Sequence, residues 1–365
     1  MSRPSISELE RKYLLDAFDS GWISSLGDYV VRAEDKLKTI GGVTHAAVVS
    51  NGTTALHLAL LALDIGPGDE VIIPSSTYVA TLNAVLYVGA LPVIVDVDPV
   101  TWCISPDAVH EALTTKTRAV IAVDLYGHPA DYGSLREICG PAGVVLVADA
   151  AESIGGSLQG VPVGALADVS TFSFFGNKVV TSGEGGAVVT QDAEVDRRIR
   201  KLRNQGNHED RRYFHDILGY NYRMTNLAAA ILCAQLERLP ELLSSRQGVV
   251  EQYDRLFELN PTLVPQGRAS GAAASPWMYS LELKGELAGR RDDIMSQMRA
   301  EGVETRPVFN TVESMPYLKS FRSSPTPVAG TLAKSGVSLP TFPGMTPSEV
   351  EHVVTSLFRA CGLTK

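Results

Sequence analysis

From about residue 45 to 190, short apolar runs alternate with stretches of helical spacing. Residues 46–49 predict a strand that runs into Asn51-Gly52-Thr53-Thr54 and then an apolar helix over about 55–63, stopped by Gly66-Pro67-Gly68. Further strands are predicted at 71–73, 93–95, 119–123 and 144–148. Continuous apolar runs of this length suit strands buried on both faces. Their alternation with helices predicts an α/β architecture, a largely parallel sheet with right-handed crossovers. Ligands of such sheets bind beyond the carboxyl ends of the strands. Asn51, Asp124, Asp149 and Phe174 all stand at such ends.

The pattern changes after residues 186–190. A charged helix is predicted over about 192–203, then a polar, aromatic loop over 204–222. A helix over about 226–239 should end at Pro240, and a long helix over about 241–259 should follow. From about 265 onward the chain reads as an α+β module, with strands at 279–283 and 304–309 and a loop at 323–327. The 365 residues exceed one typical core, so two domains are expected. Residues 1–240 would form the large one, with residues 1–25 at the edge of its site, and residues 241–365 the small one.

Composition narrows the function classes. A hydrophobic content of 45% and a charged content of 20% fit an ordinary globular protein. The net charge of -9 argues against a nucleic-acid surface as the main function. The start, Met1-Ser2-Arg3-Pro4-Ser5, leads into charged residues and no apolar signal core, and no run is long enough to span a bilayer. A cytoplasmic protein with no membrane partner is expected. Cys103, Cys139, Cys233 and Cys361 are far apart and form no metal-ligand spacing, so no metal site is expected.

Three segments carry candidate chemistry. Ser50-Asn51-Gly52-Thr53-Thr54 joins a strand to a helix start, where free N–H groups and the helix dipole favour an anion. The same residues also make an ordinary N-cap. Asp149 follows a buried strand and could keep a cofactor's ring nitrogen protonated, or could simply cap the next helix. Lys178 ends Thr171-Phe172-Ser173-Phe174-Phe175-Gly176-Asn177-Lys178 and precedes the glycine turn Gly183-Glu184-Gly185-Gly186. A lysine in a semi-enclosed site can serve as a nucleophile toward a carbonyl group.

These segments, with Gly219-Tyr220-Asn221-Tyr222-Arg223-Met224-Thr225-Asn226, resemble the DegT/DnrJ/EryC1/StrS sugar aminotransferases, a family of fold type I pyridoxal-phosphate enzymes. Trp22-Ile23-Ser24-Ser25, Leu125-Tyr126-Gly127-His128-Pro129 and Glu304-Thr305-Arg306-Pro307-Val308-Phe309 extend the resemblance over nearly the whole chain. It implies pyridoxal 5'-phosphate as cofactor and Lys178 as the catalytic residue that holds it and shuttles protons. It places Asp149 at the ring nitrogen, Glu152 near the ring hydroxyl, and Tyr78 on the ring face. Gly52, Thr53 and Ser173 would hold the phosphate. Asn221 would reach the cofactor of a second subunit, which implies a homodimer with shared sites. Trp22, Ser24, His128, Arg306 and Glu313 are the implied substrate contacts. A lysine at 178, where the family's dehydratase branch has histidine, favours amino transfer.

The implied reaction moves an amino group from L-glutamate to a nucleotide-linked keto-deoxy sugar, with GDP-4-keto-6-deoxymannose favoured. The alternatives are a 3-keto sugar, a dTDP- or UDP-linked sugar, an aminocyclitol ketone, or a regulatory protein that binds the cofactor without turnover. Three positions depart from the resemblance. Leu26 stands where lysine is common, Trp277 lies in a stretch that more often contains histidine, and Glu313 replaces a histidine. Lost positive charge there is expected either to change the substrate or to be made good by Arg246 or Arg306.

Overall fold

The computed structural model describes residues 3–258 and 260–363. Its largest element is an eight-stranded sheet. In spatial order the strands are His45–Val49, Gly186–Thr190, Val169–Ser173, Val145–Asp149, Thr117–Val123, Glu70–Pro74, Leu91–Val95 and Arg322–Ser323. All run parallel except Gly186–Thr190, which is antiparallel to both neighbours. The apolar runs behave as their composition requires: Glu70–Pro74 and Gly186–Thr190 are buried along their whole length. Apolar clusters pack on both faces. The first gathers Leu37, Phe172, Phe174 and Leu232, the second Leu60, Ile73, Val85 and Ile121, and a third, smaller one Ala47, Val49, Leu58 and Val188. This is the α/β fold with a mostly parallel central sheet that the alternating pattern predicts.

A second sheet, in the order Leu263–Pro265, Tyr279–Leu283, Gly336–Leu339 and Arg306–Pro307, has its own core with the helices Leu239–Phe257 and Pro347–Cys361. Val249, Val250, Tyr253 and Phe257 bring the long helix into that core.

Several expectations need correction. The helix predicted to stop at Pro240 ends at Glu237, and the next begins at Leu239, with Pro240 in its first turn. Proline costs little there, because a first-turn N–H has no intrahelical partner. That helix runs to Phe257, and the expected end at Leu259 lies outside the described residues. Of the strand expected at 304–309, only Arg306–Pro307 pairs. The loop expected at 323–327 is partly strand: Arg322 and Ser323 pair with Val93 and Ile94 at the exposed edge of the large sheet, and Ser324 donates its N–H to Ile94. An unpaired sheet edge offers donors and acceptors to any extended segment that reaches it. Pro325 and Pro327 then prevent the pairing from continuing.

Candidate active site

Five strand ends converge on one cavity of about 450 Å³. Its lining brings together Gly52, Thr53, Tyr78, Asp149, Glu152, Ser173, Lys178 and Arg306 of the expected residues. Phe175, Trp277 and Phe309 add apolar wall.

The helix Gly52–Ala62 starts at the cavity. Asn51 caps it, accepting from the Thr54 N–H at 2.9 Å in a capping box with Thr54. The two readings of this segment are therefore compatible. Capping uses Asn51 and Thr54, and the N–H groups of Gly52 and Thr53 keep no partner among the described residues. Ser173 faces them from the end of its strand. A Cβ on Gly52 would lie 2.8 Å from the Ser173 Cβ, so only glycine leaves this cradle open. Open amides at a helix N-terminus beside two hydroxyls suit a phosphate.

Asp149 and Glu152 form the buried acidic floor. Asp149 is the last residue of its strand, and its carboxylate accepts from the Thr81 hydroxyl at 2.7 Å and the Ala151 N–H at 3.3 Å. Burial pushes its pKa up, opposed by the Thr81 hydrogen bond and the Lys178 charge. Burial also raises Glu152, opposed first by Lys178 and then by the Tyr126 N–H, which donates at 2.7 Å. Tyr126 holds this N–H in place from a left-handed backbone (φ 56°). At the next residue, Gly127, a Cβ would fall 1.7 Å from the Ser275 carbonyl oxygen. Such strain persists only where the surroundings over-determine it.

Lys178 Nζ stands 3.4 Å from the Glu152 carboxylate and 3.7 Å from the centre of the Trp277 ring. The Trp277 indole N–H donates to the Asn177 carbonyl at 2.7 Å, so Trp277 fixes both the amine and the backbone beside it. Trp277 stacks on Tyr126, Tyr126 on Phe309, and Phe309 meets Tyr78 at the mouth.

Other expected residues lie elsewhere. Trp22 and Ser24 do not line this cavity; their carbonyls accept from Asn226 at the start of the helix Asn226–Glu237. His128 is buried outside the cavity, its Nε2 accepting the Ala269 N–H at 2.9 Å, and burial lowers its pKa. Asn221 also lies outside, with its carbonyl oxygen accepting from Arg223 at 2.7 Å. Glu313 is not among the residues that line the cavity, and accepts from the Ser75 and Thr326 hydroxyls at 2.6–2.9 Å. Arg246 is fully buried and donates to the Trp277 and Thr341 carbonyls, so it cannot face a substrate phosphate. Arg306 does line the cavity and makes no side-chain hydrogen bond or ion pair among the described residues.

The sequence reading passed over Thr77, Thr81 and Phe309 as site residues. Thr77 and Thr81 left no local signal: Thr77 precedes Tyr78, the cap of the helix Val79–Tyr87, and only the folded turn brings the two hydroxyls to 2.9 Å. Phe309 left none either.

An open phosphate cradle, a buried acid and a lysine in one apolar-walled cavity fit pyridoxal 5'-phosphate, a phosphorylated pyridine aldehyde. Fold and site together define a pyridoxal-phosphate-dependent enzyme of fold type I. The comparisons narrow this. The model of the DegT/DnrJ/EryC1/StrS aminotransferase family matches residues 4–358, and the chain belongs to that family. It is 40% identical over 358 residues to the GDP-perosamine synthase of Caulobacter vibrioides, covering 98% of this chain and 96% of the relative. It is 41% identical over 351 residues to that of Vibrio cholerae, covering 96% and 95%. Among solved structures, 3-amino-5-hydroxybenzoic acid synthase superposes with a TM-score of 0.93 at 31% identity, over 99% and 98% of the two chains. DesV of S. venezuelae, in complex with a ketimine intermediate, gives 0.92 at 31% identity over the full length of both.

Proposed function

We propose that this aminotransferase takes the amino group of L-glutamate and delivers it to a GDP-linked 4-keto-6-deoxy sugar, GDP-4-keto-6-deoxymannose, to form GDP-perosamine. The observation that carries the sugar is the near-full-length similarity to two GDP-perosamine synthases at about 40% identity. The position of Glu313 supports it. Its carboxylate is taken up by Ser75 and Thr326 and opposes no diphosphate at the cavity, while Arg306 offers an unpaired positive charge there.

Each residue then has a task. The Gly52 and Thr53 amides with the Thr53 and Ser173 hydroxyls hold the cofactor phosphate. Asp149 holds a proton on the ring nitrogen. Glu152 sits by the ring hydroxyl, and Tyr78 covers the ring face. The bound cofactor supplies an electron sink that loosens the donor's α-proton. Lys178 takes that proton, and later returns one at the carbon of the sugar that becomes the amine. Trp277, Tyr126 and Phe309 exclude water from the amine.

The active unit is a homodimer. Asn221 lies outside its own cavity, free to complete the phosphate site of a second copy. Trp22, Ile23, Leu26 and Leu218 are exposed apolar side chains that a second copy would cover. No helix of the described residues is long and apolar enough to cross a membrane. As a separate part of the proposal, the reaction takes place in the cytoplasm. We divide the chain at 240/241 into the cofactor-binding and small domains.

The test is turnover with L-glutamate and each of the GDP-, dTDP- and UDP-linked 4-keto-6-deoxy sugars, read by mass spectrometry. The expected result is an amino sugar from the GDP compound at a kcat/KM at least tenfold above the others. Preference for another nucleotide would overturn the substrate.

A further inference from the structure

Asp149 is the acid on which ring-nitrogen protonation depends, and it is held from behind. Thr81 is fully buried and donates its hydroxyl proton to Asp149 at 2.7 Å. An ionised carboxylate only accepts, so that proton is committed. Thr77, also buried, stands 2.9 Å from the Thr81 oxygen. Because Thr81 has spent its proton, Thr77 must be the donor of that contact. Its other acceptor, the Tyr78 carbonyl, is more distant at 3.3 Å. The order Thr77 to Thr81 to Asp149 thus has one direction when Asp149 is charged. The Tyr78 carbonyl accepts the Thr81 N–H at 3.2 Å, so the turn that presents Tyr78 to the cavity also presents Thr81 to Asp149.

We propose that Thr81, backed by Thr77, is a positioning residue that fixes the direction of the Asp149 carboxylate toward the ring nitrogen of the cofactor, so that one helical turn sets both the face and the nitrogen of the ring. This rests on the cofactor reading above. Other groups act on Asp149 as well: Lys178 favours its charge, while Asp124, Glu152 and Tyr132 lie close enough for electrostatic coupling.

The experiment binds pyridoxal 5'-phosphate labelled with nitrogen-15 in the ring to wild type, Thr81→Val, Thr81→Ser and Thr77→Val. The nitrogen chemical shift reports ring protonation across pH, and ultrafiltration gives the dissociation constant; neither depends on turnover. Thr81→Val keeps the side-chain shape and removes the donor. It should weaken cofactor binding about tenfold and lower the pH at which the nitrogen loses its proton by about one pH unit, as befits the loss of one hydrogen bond to a charged group. Thr81→Ser should restore both, and Thr77→Val should fall between. A folded Thr81→Val with the wild-type shift profile and dissociation constant would overturn the proposal. So would Thr81→Ser as impaired as Thr81→Val, which would make the role one of packing. If Thr81→Val does not fold, a wild-type profile in Thr77→Val overturns the relay. Wild-type protein that binds no cofactor would instead bring down the reading beneath it.

Discussion

The residues of the site divide by how far their signals reach along the chain. Gly52, Thr53, Asp149, Ser173 and Lys178 each end or follow a buried strand, so local pattern placed them at the correct end of the sheet. Trp277 and Phe309 enter from the far side of the chain, and no local feature marks an aromatic residue as lining Lys178 rather than a core. Glu313 shows the opposite case: the resemblance puts it at the substrate, whereas its carboxylate accepts from the Ser75 and Thr326 hydroxyls. Gly52→Ala forces a Cβ into van der Waals overlap with Ser173 and should weaken pyridoxal-phosphate binding more than tenfold, measured by ultrafiltration. Asp124 is buried beneath the site and accepts from Ala130, Tyr132 and Ser153. Burial raises its pKa to about 7, opposed by those hydrogen bonds. The folded protein therefore binds more protons than the unfolded chain between roughly pH 4 and 7, and its stability falls as pH rises through that window. The stability of wild type minus that of Asp124→Asn should drop by on the order of a few kcal/mol from about pH 4.5 to 8 in urea titrations. No change in that difference would refute the raised pKa.

At the scale of elements, the parallel strands at 45–49, 70–74, 91–95, 117–123 and 145–149 were legible because each carries a continuous apolar run, and the Gly52–Ala62 helix because its start and stop are written in capping and breaking residues. The short pairings were not. Arg322–Ser323 forms because a sheet edge is available, which depends on where the chain folds back and not on its own composition. Glu313 fastens this returning segment by bonding Ser75 at one end and Thr326 at the other, and Val312 adds an N–H to the Ser75 carbonyl. Glu313→Ala leaves these hydroxyls without their shared acceptor. It should lower stability by about 1–3 kcal/mol. The KM for the sugar nucleotide should change less than threefold. A large KM change with unaltered stability would return Glu313 to the substrate.

At the scale of the whole molecule, the two main sheets, each with its own apolar packing, meet at the cavity, and the chain's length and its change of pattern after residue 190 are the features from which two domains are expected. What one chain cannot supply, on our proposal, is Asn221. Lys178→Ala and Asn221→Ala homodimers should each be impaired. Mixed and allowed to exchange subunits, they should regain activity, because a hybrid dimer holds one site with both defects and one with neither. No recovery despite proven exchange would place Asn221 outside a shared site.

On our proposal Lys178 holds pyridoxal phosphate in an aminotransferase site. This is tested most directly by the visible absorbance spectrum of the purified protein with the cofactor, before and after L-glutamate, beside Lys178→Ala. We expect a lysine-linked cofactor band in the wild type alone, lost on addition of L-glutamate as 2-oxoglutarate appears. A wild type without that band, or a Lys178→Ala protein that retains it, would show that Lys178 does not hold the cofactor.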